Sequence, residues 1–248
     1  MHTHDSVSPP TVPCADMPPA DLFAQARTAN ELRQRLGGNR CVFARSRRLL
    51  GTGTWQGPKD AADSVVEESD LPALGGLDAA WAAGAQVFVG ASLPTMSAAL
   101  ALGMRGQLRV PYEAGEAPAT REERLNAVEA FLHACRERGT PVEAVIPTPT
   151  GEPMGLDTLA HFAACGVRFA GTAVVADFAR LGHRLAQMAL GFGANGLYGP
   201  IVSERALRLG ANANNPAMTR KEVVVFIAGA QLQPVERLAG GRLEEVTP

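Results

Sequence analysis

Residues 120–147, TREERLNAVEAFLHACRERGTPVEAVIP, hold the repeating unit that decides the fold. The first part has apolar residues at the spacing of one helix face: Leu125, Val128, Leu132 and Cys135. This spacing predicts a helix over Arg121–Arg138. The apolar run Val142–Ile146, which Pro147 ends, predicts a buried strand. A helix that leads directly into a buried strand is the unit from which parallel sheets are built.

Units of the same kind occur along the rest of the chain. Further helices are predicted at Asp21–Leu36, Leu77–Ala83, Thr95–Leu102, Asp157–Ala164, Phe178–Phe192 and Arg220–Ala228. Further strands are predicted at Cys41–Ala44, Gln86–Val89, Gln107–Val110, Val167–Val175, within Asn195–Val202 and at Pro234–Arg237, with a loop over Arg45–Asp63. Thr120 with Glu123, Asp177 and Thr219 are predicted to cap the helices that follow them.

The pattern amounts to about six β/α units with short connections. Right-handed repetition of such units curls a parallel sheet, so we predict an α/β protein with a partial (β/α)6 barrel of the TIM type. Six units are fewer than the eight that close a full barrel. A three-layer open sheet is the alternative architecture.

Composition predicts one folded domain behind a short tail. The 248 residues are 46% apolar and 19% charged, which is typical of a globular chain. Residues 1–19 are rich in Pro, Ser and Thr and have no apolar period, so they predict a flexible tail. Residues 20–248 are then expected to form a single partial barrel domain.

Charge and hydropathy exclude several classes of protein. Lys and Arg number 23 and Asp and Glu 25, a formal net charge of −2, whereas a nucleic-acid-binding protein usually has a basic face. No run of about 18 apolar residues predicts a spanning helix, and no basic segment with an apolar stretch behind it predicts a secretory signal. We therefore expect a cytoplasmic protein that binds neither nucleic acid nor membrane.

No standard motif for a metal, a phosphate or a nucleophile is present. The cysteines are too far apart for a C-x-x-C pair: Cys14, Cys41, Cys135 and Cys165. No zinc or iron–sulfur site is therefore predicted. The glycines of residues 51–57 miss the spacing of a phosphate loop. Residues 90–94, GASLP, have proline where a nucleophile elbow needs its second glycine.

Polar residues that follow predicted strands are the candidate site. In a β/α barrel, binding and catalytic groups gather where the strands end. These positions hold Arg45, Arg47, Ser92, Tyr112, Thr148, Asn195 and Tyr198 as candidate ligand-binding residues, with Glu113 as the one candidate catalytic carboxylate. Arginines, hydroxyls and an amide suit a polar, carboxylated or nucleoside-like ligand. The alternative is that they are ordinary loop residues.

Several segments carry a family resemblance. They are residues 23–45 (FAQARTANELRQRLGGNRCVFAR), 112–113 with 120–125 (YE with TREERL), 185–195 (LAQMALGFGAN), 219–222 (TRKE), 227–229 (IAG) and 234–237 (PVER). In this order they resemble the futalosine-pathway radical SAM enzymes, which include aminofutalosine synthase, dehypoxanthine futalosine cyclase and a related deazaflavin-cofactor synthase. The resemblance implies a radical SAM barrel and a place in menaquinone biosynthesis.

The same comparison shows what the chain lacks. In the family, three cysteines directly after the first strand hold a 4Fe–4S cluster, which binds and reduces S-adenosylmethionine. Residues 46–57, SRRLLGTGTWQG, contain no cysteine, and side chains without a thiolate do not hold such a cluster. The chain is also shortened between the first strand and Tyr112, and Gly196 stands where the family has an acidic residue. We expect no 4Fe–4S cluster, while the resemblance leaves binding of S-adenosylmethionine open.

These observations favour a cluster-less, non-catalytic relative that binds a nucleoside-like ligand, an active radical SAM paralogue or a second copy of itself. A partner is considered because a barrel that lacks units exposes sheet edges. The alternative is an enzyme with cluster-free acid/base chemistry, in which Glu113 is the acid or base and Arg45 or Arg47 holds a small anionic substrate. That alternative is favoured if Glu113 is buried near an arginine in a pocket and disfavoured if it points to solvent. An aldolase-like barrel would need a buried lysine, but Lys59 and Lys221 lie in a predicted loop and at a predicted helix start.

Overall fold

The fold is a curled, mostly parallel sheet with helices on its outer face. The computed structural model describes residues 19–51, 53–153, 155–209 and 217–248. The strands are, in chain order, β1 (Arg40–Ala44), β2 (Ser46–Leu49), β3 (Trp55–Gln56), β4 (Asp63–Glu67), β5 (Val87–Gly90), β6 (Arg105–Tyr112), β7 (Ala144–Pro149), β8 (Ala173–Asp177), β9 (Gly196–Tyr198), β10 (Ile201–Val202), β11 (Met218–Thr219), β12 (Gln233–Arg237) and β13 (Leu243–Glu245). The helices are α1 (Pro19–Gly37), α2 (Leu71–Leu74), α3 (Leu77–Ala82), α4 (Leu93–Ala101), α5 (Pro118–Glu137), α6 (Gly155–Arg168), α7 (Phe178–Leu181), α8 (His183–Leu190), α9 (Glu204–Leu209) and α10 (Arg220–Gly229).

The parallel series of strands begins and ends on one continuous segment of the chain. From β1 it runs through β9, β8, β7, β6, β5 and β4 to β2. Only Arg45 separates β1 from β2, so the sheet curls round until its last strand continues its first. On its other side, β1 pairs in parallel with β12. The predicted α/β fold with a barrel-like sheet is therefore confirmed.

Two strands of this series were not predicted. β2 lies within the predicted loop Arg45–Asp63, and β4 begins at its last residue, so the loop prediction is wrong in part. β4 has the sequence Asp-Ser-Val-Val-Glu and all five of its residues are buried. Its polar ends, Asp63 and Glu67, face the inside of the barrel, where arginines neutralise them. Because these partners are distant in sequence, the polar residues are typical of a loop when they are considered alone.

Alternation along each strand divides the side chains between two layers. On β6, Leu108 and Val110 join the large core under the helices, whereas Gln107 and Arg109 face the inside of the barrel. The inside holds a separate layer of small aliphatic residues: Val65, Val87, Val89, Ala144, Ile146 and Val175. This inner layer lies between polar residues near the amino ends of the strands and polar residues near their carboxyl ends.

The predicted helix caps are correct at two of three positions. Thr219 caps α10 in a capping box with Glu222, and the Asp177 carboxylate accepts hydrogen bonds at the start of α7. The capping box predicted at Thr120 is wrong, because α5 already begins at Pro118 and Thr120 lies inside it. Proline is favoured at the first helical position, because an N–H group there would have no acceptor within the helix.

Three predicted boundaries also differ. The predicted helix Phe178–Phe192 is split at Gly182, whose φ of 73° no helix accommodates. The predicted strand Val167–Val175 is wrong at its start, because α6 continues to Arg168 and β8 begins at Ala173. The predicted tail, residues 1–19, lies outside the described residues up to position 18, and α1 begins at Pro19. Among the described helices, none combines the length and the hydropathy that crossing a membrane requires.

Helix α1 docks on α6 through close contact of small residues. A Cβ atom added to Gly166 would lie 2.9 Å from the Cβ of Ala29 and 3.3 Å from the Cα of Gly193. Asn30 fixes the same contact, since its Nδ2 donates to the carbonyl of Gly191 at 2.7 Å and its Oδ1 accepts from the N–H of Gly193 at 3.1 Å. Backbones can approach this closely only where side chains are absent.

We predict that Gly166→Ala destabilises the fold. The added methyl group overpacks the contact between α1 and α6, which costs about 1–3 kcal/mol of unfolding free energy. Gly155→Ala is the matched control on the same helix, because nothing lies within 4 Å of a Cβ added there. Urea unfolding followed by circular dichroism measures both. Equal stability of the two variants would contradict the close packing described above.

Candidate functional site

A cavity of about 790 Å³ lies at the carboxyl ends of the strands. We call it the mouth cavity. Six side chains with ionisable or aromatic groups line it: Arg48, Glu67, Arg109, Asp177, Arg180 and Tyr198. They come from β2, β4, β6, β8, the start of α7 and β9, so the curl of the sheet brings them together from across the chain. Cavities of this size are typical of small-molecule sites.

Arg109 is the centre of this group. Its Nη1 donates to Oδ2 of Asp177 at 2.9 Å, and its Nη2 lies 3.5 Å from Oε1 of Glu67. All three side chains are buried. A buried cation is tolerated only when anions and hydrogen bonds compensate its lost hydration, so the two carboxylates hold Arg109 in place. Arg109 therefore forms a fixed part of the cavity wall.

Tyr198 is held in the same group. Its hydroxyl donates to Oε1 of Glu67 at 3.0 Å, and the guanidinium of Arg109 lies 5.7 Å from its ring centroid. Burial, together with the charge of Glu67, raises the pKa of Tyr198, so the phenol stays protonated and acts as a donor. The chain beyond it passes against the ring of Phe178 at Gly199, where φ is 152° and a Cβ would lie 2.5 Å from the ring.

Asp177 is used twice by the fold. Its Oδ1 accepts from the backbone N–H groups of Ala179 at 3.1 Å and of Arg180 at 3.3 Å, while its Oδ2 accepts from Arg109. Burial raises the pKa of this carboxyl, and the charge and hydrogen bond of Arg109 oppose that rise. With both oxygens engaged, Asp177 acts as a positioning group for α7 and Arg109.

Two arginines at the rim of the cavity are less completely neutralised. Arg48 reaches Oδ2 of Asp70 at 2.8 Å and Oε2 of Glu67 at 3.4 Å, and 37% of its side chain is exposed. Arg180 pairs with Asp177 at 3.7 Å, and 49% of its side chain is exposed. Among the described residues, the lining holds three arginines and two carboxylates, and a third carboxylate, Asp70, pairs with Arg48 from outside the lining. The partly exposed guanidinium groups of Arg48 and Arg180 make the rim of the mouth cavity suited to an anionic group.

Of the residues predicted from sequence, Tyr198 alone lines the mouth cavity. Arg45 lies between β1 and β2, where its guanidinium pairs with Asp60 at 2.7 Å and Glu236 at 3.0 Å. Arg47 is next to Arg48 on β2, and its Nε donates to Oγ of Ser64 at 3.0 Å. Neighbouring residues of a strand face opposite sides, so Arg48 rather than Arg47 reaches the cavity.

Three further predicted residues serve the backbone. Ser92 caps α4, since its Oγ accepts from the N–H of Thr95 at 3.3 Å, and its own N–H donates to Oε2 of Glu68 at 3.1 Å. The hydroxyl of Thr148 donates to the carbonyl of Ile146 at 2.8 Å. The Oδ1 of Asn195 accepts from the N–H of Val174 at 2.8 Å. Asn195 lines a second cavity, at the amino ends of the strands.

Tyr112 belongs to the core and not to the mouth cavity. Its hydroxyl donates to Oγ1 of Thr158 at 2.9 Å, and burial raises its pKa to about 12. Its ring stacks on the imidazole of His161, with 3.9 Å between the centroids. The Nε2 atom of His161 faces Glu116 at 3.6 Å and Asp157 at 3.8 Å.

Glu113 directly follows Tyr112 and is exposed. It does not line the mouth cavity, and it makes no ion pair with the residues that the structure describes. Burial of Glu113 near an arginine would have favoured the acid/base alternative, and its exposure disfavours it. The geometry therefore does not favour that chemistry.

Sequence analysis missed five of the six mouth residues. They are Arg48, Glu67, Arg109, Arg180 and Asp177, the last of which was predicted only as a helix cap. One signal was present: on β6, Arg105, Gln107 and Arg109 are polar at every second position. Such alternation on a buried strand indicates a polar interior behind the sheet. The other residues have no comparable signal, because each becomes a site residue only through its distant partners.

The described residues do not fit the cluster that a radical SAM barrel implies. Their cysteines, Cys41, Cys135 and Cys165, are all buried in the core under the helices, and none lines the mouth cavity. No group of three or more histidine, cysteine, aspartate or glutamate side chains within the described ranges is placed to hold a metal ion. Three convergent thiolates are the minimum for such a cluster with an open iron.

Two solved structures share the fold of this chain. Methylornithine synthase (PylB) matches with a TM-score of 0.58 and 11% identity, over 88% of this chain and 90% of that chain. HydG, a maturase of the FeFe-hydrogenase, matches with a TM-score of 0.60 and 9% identity, over 89% of this chain and 70% of that chain. At such identities the likeness shows the fold alone. No protein-family model and no curated protein sequence matches the chain.

We predict that acid destabilises the fold through His161. Burial, together with the charges of Arg121 and Arg124, lowers the pKa of His161 from 6.5 to about 3. Below pH 6.5 the imidazole of His161 is protonated in the unfolded chain, whereas in the folded chain it stays neutral until about pH 3. The contribution of His161 to the free energy of unfolding is therefore fully present above pH 6.5. It is lost as the pH drops toward 3, by up to ~1.4 kcal/mol per pH unit.

Urea unfolding between pH 7 and pH 4 measures this slope. His161→Phe keeps a ring stacked on Tyr112 and removes the site of protonation, so its slope is expected to be smaller by up to ~1.4 kcal/mol per pH unit. Identical slopes for the two proteins would show that His161 does not carry the effect.

Proposed function

We propose that this chain is a cluster-free relative of the radical SAM enzymes that binds a small anionic or nucleoside-like ligand in the mouth cavity and performs no radical chemistry. One observation carries the proposal. The place where the fold would hold a reactive metal cluster is lined by guanidinium groups, and the described thiols lie in a different layer of the molecule.

The geometry supports anion binding because the buried arginine of the mouth cavity is paired, whereas the two arginines at its rim are partly exposed. Arg109 pairs with Glu67 and Asp177, so its charge is neutralised and it shapes the wall. Arg48 and Arg180 stand at the rim with part of each guanidinium accessible. A guanidinium presents paired N–H groups that match the oxygens of a carboxylate or phosphate. The bound ligand would place its anionic group at this rim.

The sequence resemblance supports the nucleoside part of the proposal. The matching segments cover much of the chain in the order found in the futalosine-pathway enzymes, which act on nucleoside derivatives in menaquinone biosynthesis. Methylornithine synthase and HydG share the fold at low identity and support only the barrel. Candidate ligands are therefore S-adenosylmethionine and futalosine-type nucleosides.

Ligand binding is favoured over a role limited to covering an active paralogue or a second copy of the chain. The partner hypothesis rested on exposed sheet edges. In the described residues the sheet ends in β3, of two residues, and in the antiparallel β13, of three. Such short edges offer a partner few backbone hydrogen bonds. The mouth cavity, in contrast, has a volume of about 790 Å³ and is lined by charged side chains that can bind a ligand.

We predict that Arg180→Gln weakens ligand binding about tenfold, because a hydrogen bond to a charged group is worth about 1.5 kcal/mol or more. Isothermal titration with S-adenosylmethionine and with futalosine-type nucleosides measures the affinity. Arg184→Gln is the matched control, since Arg184 is exposed on α8 and does not line the mouth cavity. Equal affinity of wild type and Arg180→Gln for every bound ligand would show that Arg180 does not bind the ligand, which contradicts the proposed placement of the anionic group at the rim.

We also predict that anaerobic reconstitution with iron and sulfide leaves the folded protein without a four-iron centre. The measurement is the ratio of iron and sulfide to protein after desalting, together with visible absorption from thiolate to iron. Cys14 lies outside the described residues, so Cys14→Ser is tested in parallel. A centre with four irons per chain in the wild-type protein would overturn the cluster-free assignment.

A further inference from the structure

One wall of the mouth cavity comes from a short segment that has little packing of its own. Gln56, Gly57 and Pro58 line the cavity. In residues 56–60, which we call the wall segment, Pro58 is half-buried and the other four residues are exposed. A segment with few buried apolar contacts opens locally at little cost in free energy. The position of the wall segment therefore depends on the polar contacts that hold it.

The two ends of the wall segment are held in different ways. At its start, Gln56 belongs to β3, which pairs with β2. Gly57 follows with a φ of 126°, and a Cβ atom there would lie 2.8 Å from the Cα of Arg47. Beyond the other end, the N–H of Ala62 donates to the carbonyl of Arg45 at 2.8 Å. The main chain of Arg45, between β1 and β2, thus holds the second end.

The side chain of Arg45 holds the same end. Its Nη1 donates to Oδ2 of Asp60 at 2.7 Å, and its Nε donates to Oε1 of Glu236 at 3.0 Å. Glu236 is 1% exposed, and its Oε2 accepts from Nε of Arg220 at 2.6 Å. A buried carboxylate needs such cationic partners and keeps them in place. Asp60 is therefore tied through Arg45 to the interior of the fold.

The ion pair between Arg45 and Asp60 is accessible to solvent. The side chains of Arg45 and Asp60 are 28% and 71% exposed. The hydrogen bond and the charge of Arg45 lower the pKa of Asp60, so this carboxyl is ionised at neutral pH. An ion pair this exposed is weakened by salt. The contact that holds the end of the wall segment is therefore expected to weaken as the ionic strength rises.

We propose that Arg45 is a positioning residue of the mouth cavity: through Asp60 it holds the wall segment in place, with a strength that falls as the ionic strength rises. Arg45 does not line the cavity itself, so it acts on the ligand site through its partner. The inference rests on the proposed function where it concerns a ligand. The position of the wall segment can be measured without one.

Hydrogen–deuterium exchange of the full chain, followed by mass spectrometry, measures the opening of residues 53–62. Asp60→Asn removes the charge of the exposed partner and leaves the pair between Arg45 and Glu236. Exchange of residues 53–62 is expected to become about two- to fivefold faster, which is the order of effect of an exposed ion pair. Raising the salt concentration from about 0.05 M to about 1 M is expected to speed this exchange more in the wild type than in Asp60→Asn. Equal exchange in the two proteins, or an equal response to salt, would overturn the proposal.

Glu245→Gln is the matched control. Glu245 pairs with Arg40 at the same distance of 2.7 Å, and its side chain is 56% exposed. Arg40 begins β1, whereas Arg45 follows the last residue of that strand, and neither member of the control pair lines the mouth cavity. Exchange of residues 53–62 is expected to be unchanged in Glu245→Gln. An increase equal to that in Asp60→Asn would show a general effect of a lost charge and would contradict the proposal.

Arg45→Gln breaks the same ion pair from its other side, while Glu236 keeps Arg220 as a cationic partner. The double variant with Asp60→Asn is expected to exchange residues 53–62 no faster than Arg45→Gln alone, because both changes remove one contact. Additive increases would show that Arg45 and Asp60 act independently, which contradicts positioning through this pair. If Arg45→Gln does not fold, the comparison of Asp60→Asn with Glu245→Gln decides the matter.

Ligand affinity gives the second readout. Asp60→Asn is expected to weaken binding of S-adenosylmethionine or a futalosine-type nucleoside about two- to fivefold at low salt, and less at high salt, where the wild type has lost the same contact. Arg180→Gln, in contrast, is expected to weaken binding without faster exchange of residues 53–62. Faster exchange in Asp60→Asn with unchanged binding would overturn the positioning role. If neither ligand binds the wild type, the proposed function fails, and the exchange measurements alone decide whether Arg45 holds the wall segment.

Discussion

The pairing of Arg109 with Glu67 and Asp177 is the interaction on which the carboxyl end of the barrel depends. Arg109 lies on β6, and its two partners lie two strands away on either side, on β4 and β8. Once the three are buried, none can be removed cheaply, because loss of one partner of a buried pair costs about 3–5 kcal/mol. The network therefore links non-adjacent strands and sets the distance across the mouth cavity. It also neutralises Arg109, whereas Arg48 and Arg180 at the rim stay partly exposed.

A related network at the amino end joins the sheet to itself. Ala44 stands opposite Arg237, and Ser46 stands opposite Asp63, so β12 and β4 lie end to end along the β1–β2 segment. The ion pair between Arg237 and Asp63 bridges that junction. Barrels of this kind are normally filled by bulky inner side chains. Here four valines, one isoleucine and one alanine fill the middle of the barrel in the same way, and the space lies at its two ends.

The sequence predicted the elements of the outer layer well and the inside of the barrel poorly. Strands such as β7 and the helix α10, with its capping box at Thr219, follow from apolar periodicity and local hydrogen bonding. Side chains along a strand alternate between the two faces of the sheet, so a residue at a strand end faces inward or outward according to whether its position in the strand is odd or even. A shift of one residue reverses the face. Arg47 and Arg48 are adjacent, yet only Arg48 reaches the mouth cavity, and Tyr112 at the end of β6 turns toward α6. Parity cannot be fixed without the pairing partners of each strand, and for β2 and β4 those partners are distant in sequence.

The side of the sheet that each residue faces also decides where the thiols lie. Cys41 belongs to β1, but its side chain is wholly buried under the helices, where burial raises its pKa above the ordinary value of a thiol. Cys135 and Cys165 lie on α5 and α6 in that same outer layer. A cluster requires ionised thiolates that converge on one point, and these three groups are kept apart by the sheet from the mouth cavity. Rearrangement of the loops at the mouth would not bring them there, because they are part of the helix–sheet core. The helix–sheet core thus holds the described thiols, while arginines and carboxylates line the mouth cavity.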